Sequence, residues 1–404
     1  MLPRPYTVVL IVPTGIGAAI GGYAGDALPV ARAIASCCDL LITHPNVLNG
    51  ASLYWPLPNT FYVEGYGLDK FAAGCWGLQP VHQNRIGLIL DREIEPDLQL
   101  RHLQAADAAR ATLGLNLTDY IVTDAPLGVE LRTSDSGASW GTIENPDSLL
   151  RAAEVLITKA KAEAIAVVAR FPEDIDSQVL ANYRQGKGVD PVAGAEAVIS
   201  HLIVRTFQIP CAHAPAFSAP ALDPHLSPRS AAEELGYTFL PCVLVGLSRA
   251  PQFVTPAGSQ KSKVKSQNEE GEGEGKREEG RGRGRGKREN INSSARPLPH
   301  SPTPPLPHSP PQCIWAERVD AIVIPATACG SSAILSFSQL PAKIICVEEN
   351  QTQMQVPPEP LGIEALRVHS YLEALGVLVA HRAGIHPSAL SPDLSPIRSV
   401  LKNW

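Results

Sequence analysis

The sequence predicts an α/β fold, with one or more mainly parallel sheets carrying helices on both faces. Three observations lead there. Short apolar runs rich in β-branched residues recur at 8–12, 86–90, 164–169, 319–324 and 343–347, as expected of strands buried on both faces. Stretches with helical periodicity lie between them. The first run also passes into a turn holding Gly15, Gly17, Gly21, Gly22 and Gly25, the strand–turn–helix start of a parallel unit.

The elements follow in order. Pro13 ends the first strand, and Asp26 is placed to cap a helix reaching about Cys38, with Leu28, Ala31 and Ile34 or Ala35 inward. A strand follows at 39–43. Residues 49–83 read as a loop-rich stretch holding Tyr54, Trp55, Phe61, Tyr62, Tyr66, Phe71 and Trp76. Such aromatics suit the cover of a sheet edge, a lid or an oligomer contact. Beyond the strand at 86–90, a helix at 100–113 is stopped by Gly114, and a strand follows at 120–123. The polar segment 134–145 allows a division into two lobes. Helix 147–162 has Leu149, Leu150, Ala153, Leu156 and Ile157 inward. Strand 164–169, a helix at 191–204 behind Asp190, and a short helix with Pro228 in its first turn and Gly236 at its end come next. A strand is expected at 239–247. The last elements are strands 319–324 and 343–347 and a helix at 370–383 with Leu372, Leu375, Leu378 and Val379 on it.

Between these halves the character changes. Residues 255–312 show no apolar periodicity; they hold EEGEGEGKREEGRGRGRGKRE and then PLPHSP twice. Such a composition cannot bury enough apolar surface to offset the entropy of ordering, so a disordered insertion is expected. Residues 1–254 and 313–404 then form one discontinuous α/β unit, since closing a long loop carries only a modest entropic cost.

The chain has 404 residues, 44% hydrophobic and 18% charged, and a formal net charge of −6. This balance argues against a general nucleic-acid binder. Eight cysteines without a C-x-x-C pair suggest neither a disulfide framework nor a zinc site. No run reaches the ~20 apolar residues of a membrane span, and Pro13 with its following glycines interrupts any signal-like start. A cytoplasmic protein with no membrane partner is expected, with self-association left open.

The run VPTGIGAAIGGYAGDALPVARAIA, followed by THPNVLNG, VTDAPLGVELR and VEENQT, resembles a family of cyanobacterial and plastid proteins catalogued as a domain of unknown function. The likeness covers nearly the whole chain outside 255–312, a segment in which the chain departs from the family pattern. It implies a soluble cyanobacterial protein and carries no activity or cofactor with it.

In open parallel sheets, ligands bind beyond the carboxyl ends of the strands. Polar groups following the apolar runs are therefore the candidates. Thr14, Gly15, Gly17 and Gly21 begin a turn whose free N–H groups would suit an anion. Arg170 and Ser331 are placed to assist in binding. Cys329, lying between a strand and a helix start, is a candidate nucleophile, with His44 as its base. Asp124 and Glu348 offer carboxylates for acid–base work. No metal site is expected; His201 and His213 are ten or more residues apart without a third ligand in register. The leading expectation is an enzyme acting on a small anionic metabolite or nucleotide held by the glycine turn. A non-catalytic sensor using the same crevice, or an interaction scaffold, are the alternatives.

Overall fold

The computed structural model describes residues 4–49, 55–173, 177–218, 222–234, 239–256, 313–394 and 396–397. Tyr54, Gly236 and the expected disorder of 257–312 lie outside the described residues. β1 (Thr7–Leu10) leads through the glycine turn into α1 (Leu28–Cys37), β2 (Leu40–Thr43), the single turn α2 (Pro45–Leu48) and β3 (Thr60–Tyr62). α3 (Gly65–Ala72) and β4 (Gly77–Gln79) carry the chain onward to β5 (Ile86–Leu90), α4 (Pro96–Leu113), β6 (Leu117–Val122), β7 (Val129–Thr133) and β8 (Ser139–Ile143). Next come α5 (Pro146–Thr158), β9 (Ala164–Arg170), α6 (Ser177–Arg184), α7 (Ala193–Phe207), β10 (Cys211–Ala216), α8 (Pro228–Glu234), α9 (Phe239–Ser248) and β11 (Gln252–Val254). β12 (Ala321–Pro325), α10 (Ser332–Phe337), β13 (Lys343–Val347), β14 (Ala365–Val368) and α11 (Tyr371–Arg382) complete the described elements.

The first sheet has the order β14-β13-β12-β1-β2-β3 and every pairing in it is parallel. Counted in chain order, its strands run 3-2-1-4-5-6, the doubly wound arrangement. Val8 and Leu10 enter one apolar cluster while Val9 and Ile11 enter another, because successive side chains of a strand point to opposite faces. α1 packs against α11, and α10 against α3. The winding reverses between β1 and β12, which opens a crevice at their carboxyl ends. A second parallel sheet has the order β10-β9-β5-β6.

Several expectations need correction. Residues 239–248 form a helix, not a strand. Leu240, Val243, Leu244 and Leu247 are buried in a cluster that draws on both sheets, and a run apolar on all sides suits a helix wedged there as well as it suits a strand. The aromatic stretch is not mainly loop. It contains edge strand β3, helix α3 and strand β4. On α11 the inward residues are Tyr371, Ala374, Leu378 and Ala380, whereas Leu372 (79% exposed) and Val379 (53%) face solvent. Asp26 does not cap α1, whose N-cap is Ala27.

Residues 134–145 fall on the antiparallel β7–β8 hairpin. The chain passes from the first sheet to the second between Tyr62 and Ile86, and returns between Ala216 and Ala321. On the return, Val254 pairs with Gly77 and Ile314 bridges to Leu78. Both flanks of the 257–312 segment are thus held side by side on β4. The described residues belong to one compact unit.

Candidate functional site

The carboxyl ends of β1, β2, β3 and β12 meet elements of the second sheet around a cavity of about 330 Å³. The first sheet contributes Thr14 after β1, His44 and Asn46 after β2, Glu64 after β3, and Ser331 before α10. The second sheet contributes His213 on β10, Glu196, Ser200 and His201 on α7, Asp190 ahead of α7, and Glu233 on α8.

The second half of the glycine turn is closed by the protein's own acceptors. Ala19 and Ile20 donate their N–H groups to Gln351 O and Asn350 Oδ1, each at 2.9 Å. Gly21 donates to Asp26 Oδ1 at 2.6 Å, Ala24 to Glu233 Oε2 at 2.7 Å, and Gly25 to Asn46 O at 2.8 Å. The donors of the later part of the turn are thus taken by the protein itself, Gly21 and Ala24 by carboxylates. Gly15 and Gly17 have φ of +71° and +62°, and a Cβ on Gly17 would lie 3.0 Å from both Gly188 O and Val189 Cγ2. On Gly15 it would meet Ser139 Oγ at 2.7 Å. Gly21 is crowded by Val12 in the same way. These glycines serve backbone conformation and close packing.

Of the other expected residues, Thr14, His44 and Ser331 line the cavity, and Ser331 Oγ also accepts from Ile334 N–H at 3.4 Å to cap α10. Asp124, Arg170, Cys329 and Glu348 do not line it. Asp124 is an exposed carboxylate that accepts from Ser148 and, in two-pronged fashion, from Arg151 at 2.7 and 2.8 Å. The guanidinium holds its pKa well below the usual carboxylate range. Arg170 pairs with Glu95 (2.9 Å) and Glu173 (2.7 Å), and Glu348 with Arg367 (3.2 Å). Cys329 is fully buried in the apolar core, with Cys346 Sγ at 3.6 Å. Nor is His44 available as its base: His44 Nε2 accepts the Val12 N–H at 3.0 Å.

The ionisable groups that sequence reasoning passed over form a connected set. Glu64, 3% exposed, caps α3 through Tyr66 N–H (2.8 Å) and Gly67 N–H (3.1 Å). Its Oε1 lies 2.9 Å from His201 Nδ1 and 3.4 Å from Ser200 Oγ. Burial lowers the His201 pKa, but Glu64 and the Ala197 carbonyl outweigh burial and the net shift is upward. Ser200 Oγ is 3.3 Å from His213 Nδ1, whose Nε2 is 3.6 Å from Glu196 Oε2. Asp190 and Glu233 stand in each other's field. Burial pushes both pKa values up, that of Glu233 to about 7, while Tyr183 OH donates to Glu233 at 3.0 Å. One signal in the sequence pointed here: Glu196 and Ser200 are four apart on one helix and so share a face. Among the described residues no group of three or more His, Cys, Asp or Glu is arranged to hold a metal ion.

A pH effect on stability follows. Glu233 has a folded pKa raised from 4.5 to about 7, so its contribution to stability is fully present below 4.5 and is lost as pH rises through 7. Asp190, also raised, acts in the same direction. Calorimetric melting of the wild type should therefore lose temperature across that interval more steeply than Glu233→Gln, which cannot ionise. Parallel curves would show that Glu233 keeps an ordinary pKa.

No solved structure matches the chain. A protein of Synechococcus sp. named "Uncharacterized lipoprotein" is 55% identical over 392 residues, spanning 97% of this chain and 95% of its own length. That name overturns the expectation of a cytoplasmic protein. Among the described residues no helix is long and apolar enough to cross a membrane. The family-level resemblance read from the glycine turn and its companion strings is borne out by a family model that matches residues 7–270 and 298–391 and leaves 271–297 unmatched. The chain belongs to the family described as "Protein of unknown function (DUF3326)".

Proposed function

We propose that the cavity is the active site of an enzyme that moves protons on a small uncharged or cationic molecule. The observation that carries this reading is the lining itself. Glu64, Asp69, Asp190, Glu196 and Glu233 supply five carboxylates and His44, His201 and His213 three imidazoles, with no lysine or arginine among the lining residues. A lining of carboxyl groups with no lysine or arginine offers an anion no fixed positive partner, and so suits a neutral or cationic ligand better than the anion that the glycine turn suggested. Glu196 is the base, its carboxylate 3.6 Å from Nε2 of His213, whose other ring nitrogen meets Ser200. Glu233, with a pKa near neutrality and Asp190 beside it, is the matching acid. Two carboxylates held in different environments can divide the two roles in this way.

The relative's name gives a second reading, a membrane-attached protein that binds a solute in the same cavity without turnover. The purified full chain, incubated with small metabolites grouped by charge, separates the two. Mass spectrometry reads turnover and thermal shift reads binding. The enzyme reading expects neutral or cationic members to be converted, and Glu196→Gln to slow conversion by about 10²-fold or more without changing the melt. Binding by such members without conversion supports the second reading. Stabilisation by anions alone defeats both.

A further inference from the structure

We infer that His44 is a neutral hydrogen-bond donor for a carbonyl oxygen of the molecule that occupies the cavity. The inference rests on the cavity being the ligand site, and it gives His44 a role opposite to that of a base.

Its ring is held by the backbone of the sheet. His44 directly follows β2, and the neighbouring strand β1 ends two residues before Val12, whose N–H donates to Nε2 at 3.0 Å. A ring nitrogen that accepts a hydrogen bond carries no proton, so the proton of the neutral imidazole is on Nδ1. Burial lowers the His44 pKa to about 4, which leaves the ring neutral at ordinary pH. Val12 is completely buried and His44 is 8% exposed, so neither partner has room to rearrange. The tautomer is fixed by the fold.

The other nitrogen has no such partner. Nδ1 meets no acceptor among the described residues, and the ring lines the cavity. Nδ1 is not among the side-chain atoms sealed away without a partner, so an oxygen among the cavity's contents can reach it and is its natural complement. A cationic group there would set donor against donor. A carboxylate oxygen would stand among the cavity's own carboxylates. A carbonyl oxygen satisfies Nδ1–H without adding negative charge, and a neutral imidazole polarises it without giving up the proton. The ligand class is then a small carbonyl compound, such as an amide or ketone, whose remaining groups donate toward Glu196.

The test uses the full-length protein labelled with ¹⁵N-histidine, read by long-range N–H correlation of the imidazoles. His44 should appear as the Nδ1–H tautomer and show no titration from about pH 5 to 8, the range in which an ordinary histidine changes charge. Acetamide, as a carbonyl probe, should shift the His44 Nδ1 signal. Methylammonium, which has no acceptor, should shift His213 and leave Nδ1 of His44 unmoved. In His44→Gln the thermal stabilisation given by acetamide should be lost while the methylammonium shift of His213 persists. An Nε2–H tautomer, or titration in the ordinary range, overturns the inference on the wild type alone. If acetamide moves His213 but not His44 Nδ1, the cavity reading survives and the role of His44 falls. If neither probe moves either ring, both fall together.

Discussion

Asp91→Ala should destabilise the protein by roughly 3–6 kcal/mol, enough to lower its denaturation midpoint drastically. Asp91 stands at the carboxyl end of β5, where the winding of the second sheet reverses between β5 and β9, and it is completely buried. Its Oδ1 accepts from Leu127 N–H at 3.0 Å and Glu93 N–H at 3.2 Å, and its Oδ2 accepts from Arg170 N–H at 3.1 Å. The crevice that parallel sheets open at such a point is filled here by the protein's own carboxylate. Alanine would orphan three backbone donors, each costing about 1–3 kcal/mol where water cannot reach. Asp91→Asn keeps one acceptor oxygen and should fall between alanine and wild type. Urea unfolding of the three proteins gives the comparison. A loss under about 1 kcal/mol for alanine would mean that water replaces the carboxylate and that this crevice is open.

Gly17→Val should cost about 3 kcal/mol, through two additive effects. At φ of +62° a β-branched residue is strained by its own backbone, and its Cβ would lie 3.0 Å from Gly188 O and Val189 Cγ2, with Gln353 at 3.2 Å. Gly74 provides the control. It has a similar φ of +68°, but a Cβ there would meet nothing within 4 Å, so Gly74→Val reports the backbone strain alone. The difference between the two variants isolates the packing of the glycine turn against Gly188, Val189 and Gln353. Equal melting shifts would refute that packing.

The strands buried on both faces were legible in the sequence because their runs are short and rich in β-branched residues, which the helical run at 239–248 is not. β5 and β13 were placed to the residue, and β1, β9 and β12 to within about two, the usual blur of strand ends. β3, β10 and β14 were not read. β3 and β14 are short, and β10 (CAHAPA) mixes alanine with proline, which weakens any strand signal. The site was partly legible for the same reason. Thr14, His44 and Ser331 follow strands that could be seen. Glu64 follows, and His213 lies on, a strand that could not, and Glu196 and Glu233 project from helices whose partners are fixed only by tertiary packing. Cys329 shows the converse error. It follows β12 as expected, but the turn geometry sends its thiol back into the core beside Cys346, and no local pattern encodes that direction.

The split of the first sheet between the two ends of the chain bears on how the protein is made. Val8 of β1 is paired with Ala321 of β12, and every strand of the second sheet is encoded between them. As the chain leaves the ribosome, the second sheet can close from contiguous sequence while the first holds only β1, β2 and β3. During that interval β1, the centre of the finished sheet, is an open apolar edge, and unpaired edges invite pairing with other chains. Contacts this distant along the chain also form slowly. The hazardous species in biosynthesis is thus a nascent chain with one sheet complete and the other waiting for its last three strands. Shielding of β1 until residue 321 emerges is the step at which a chaperone would matter most.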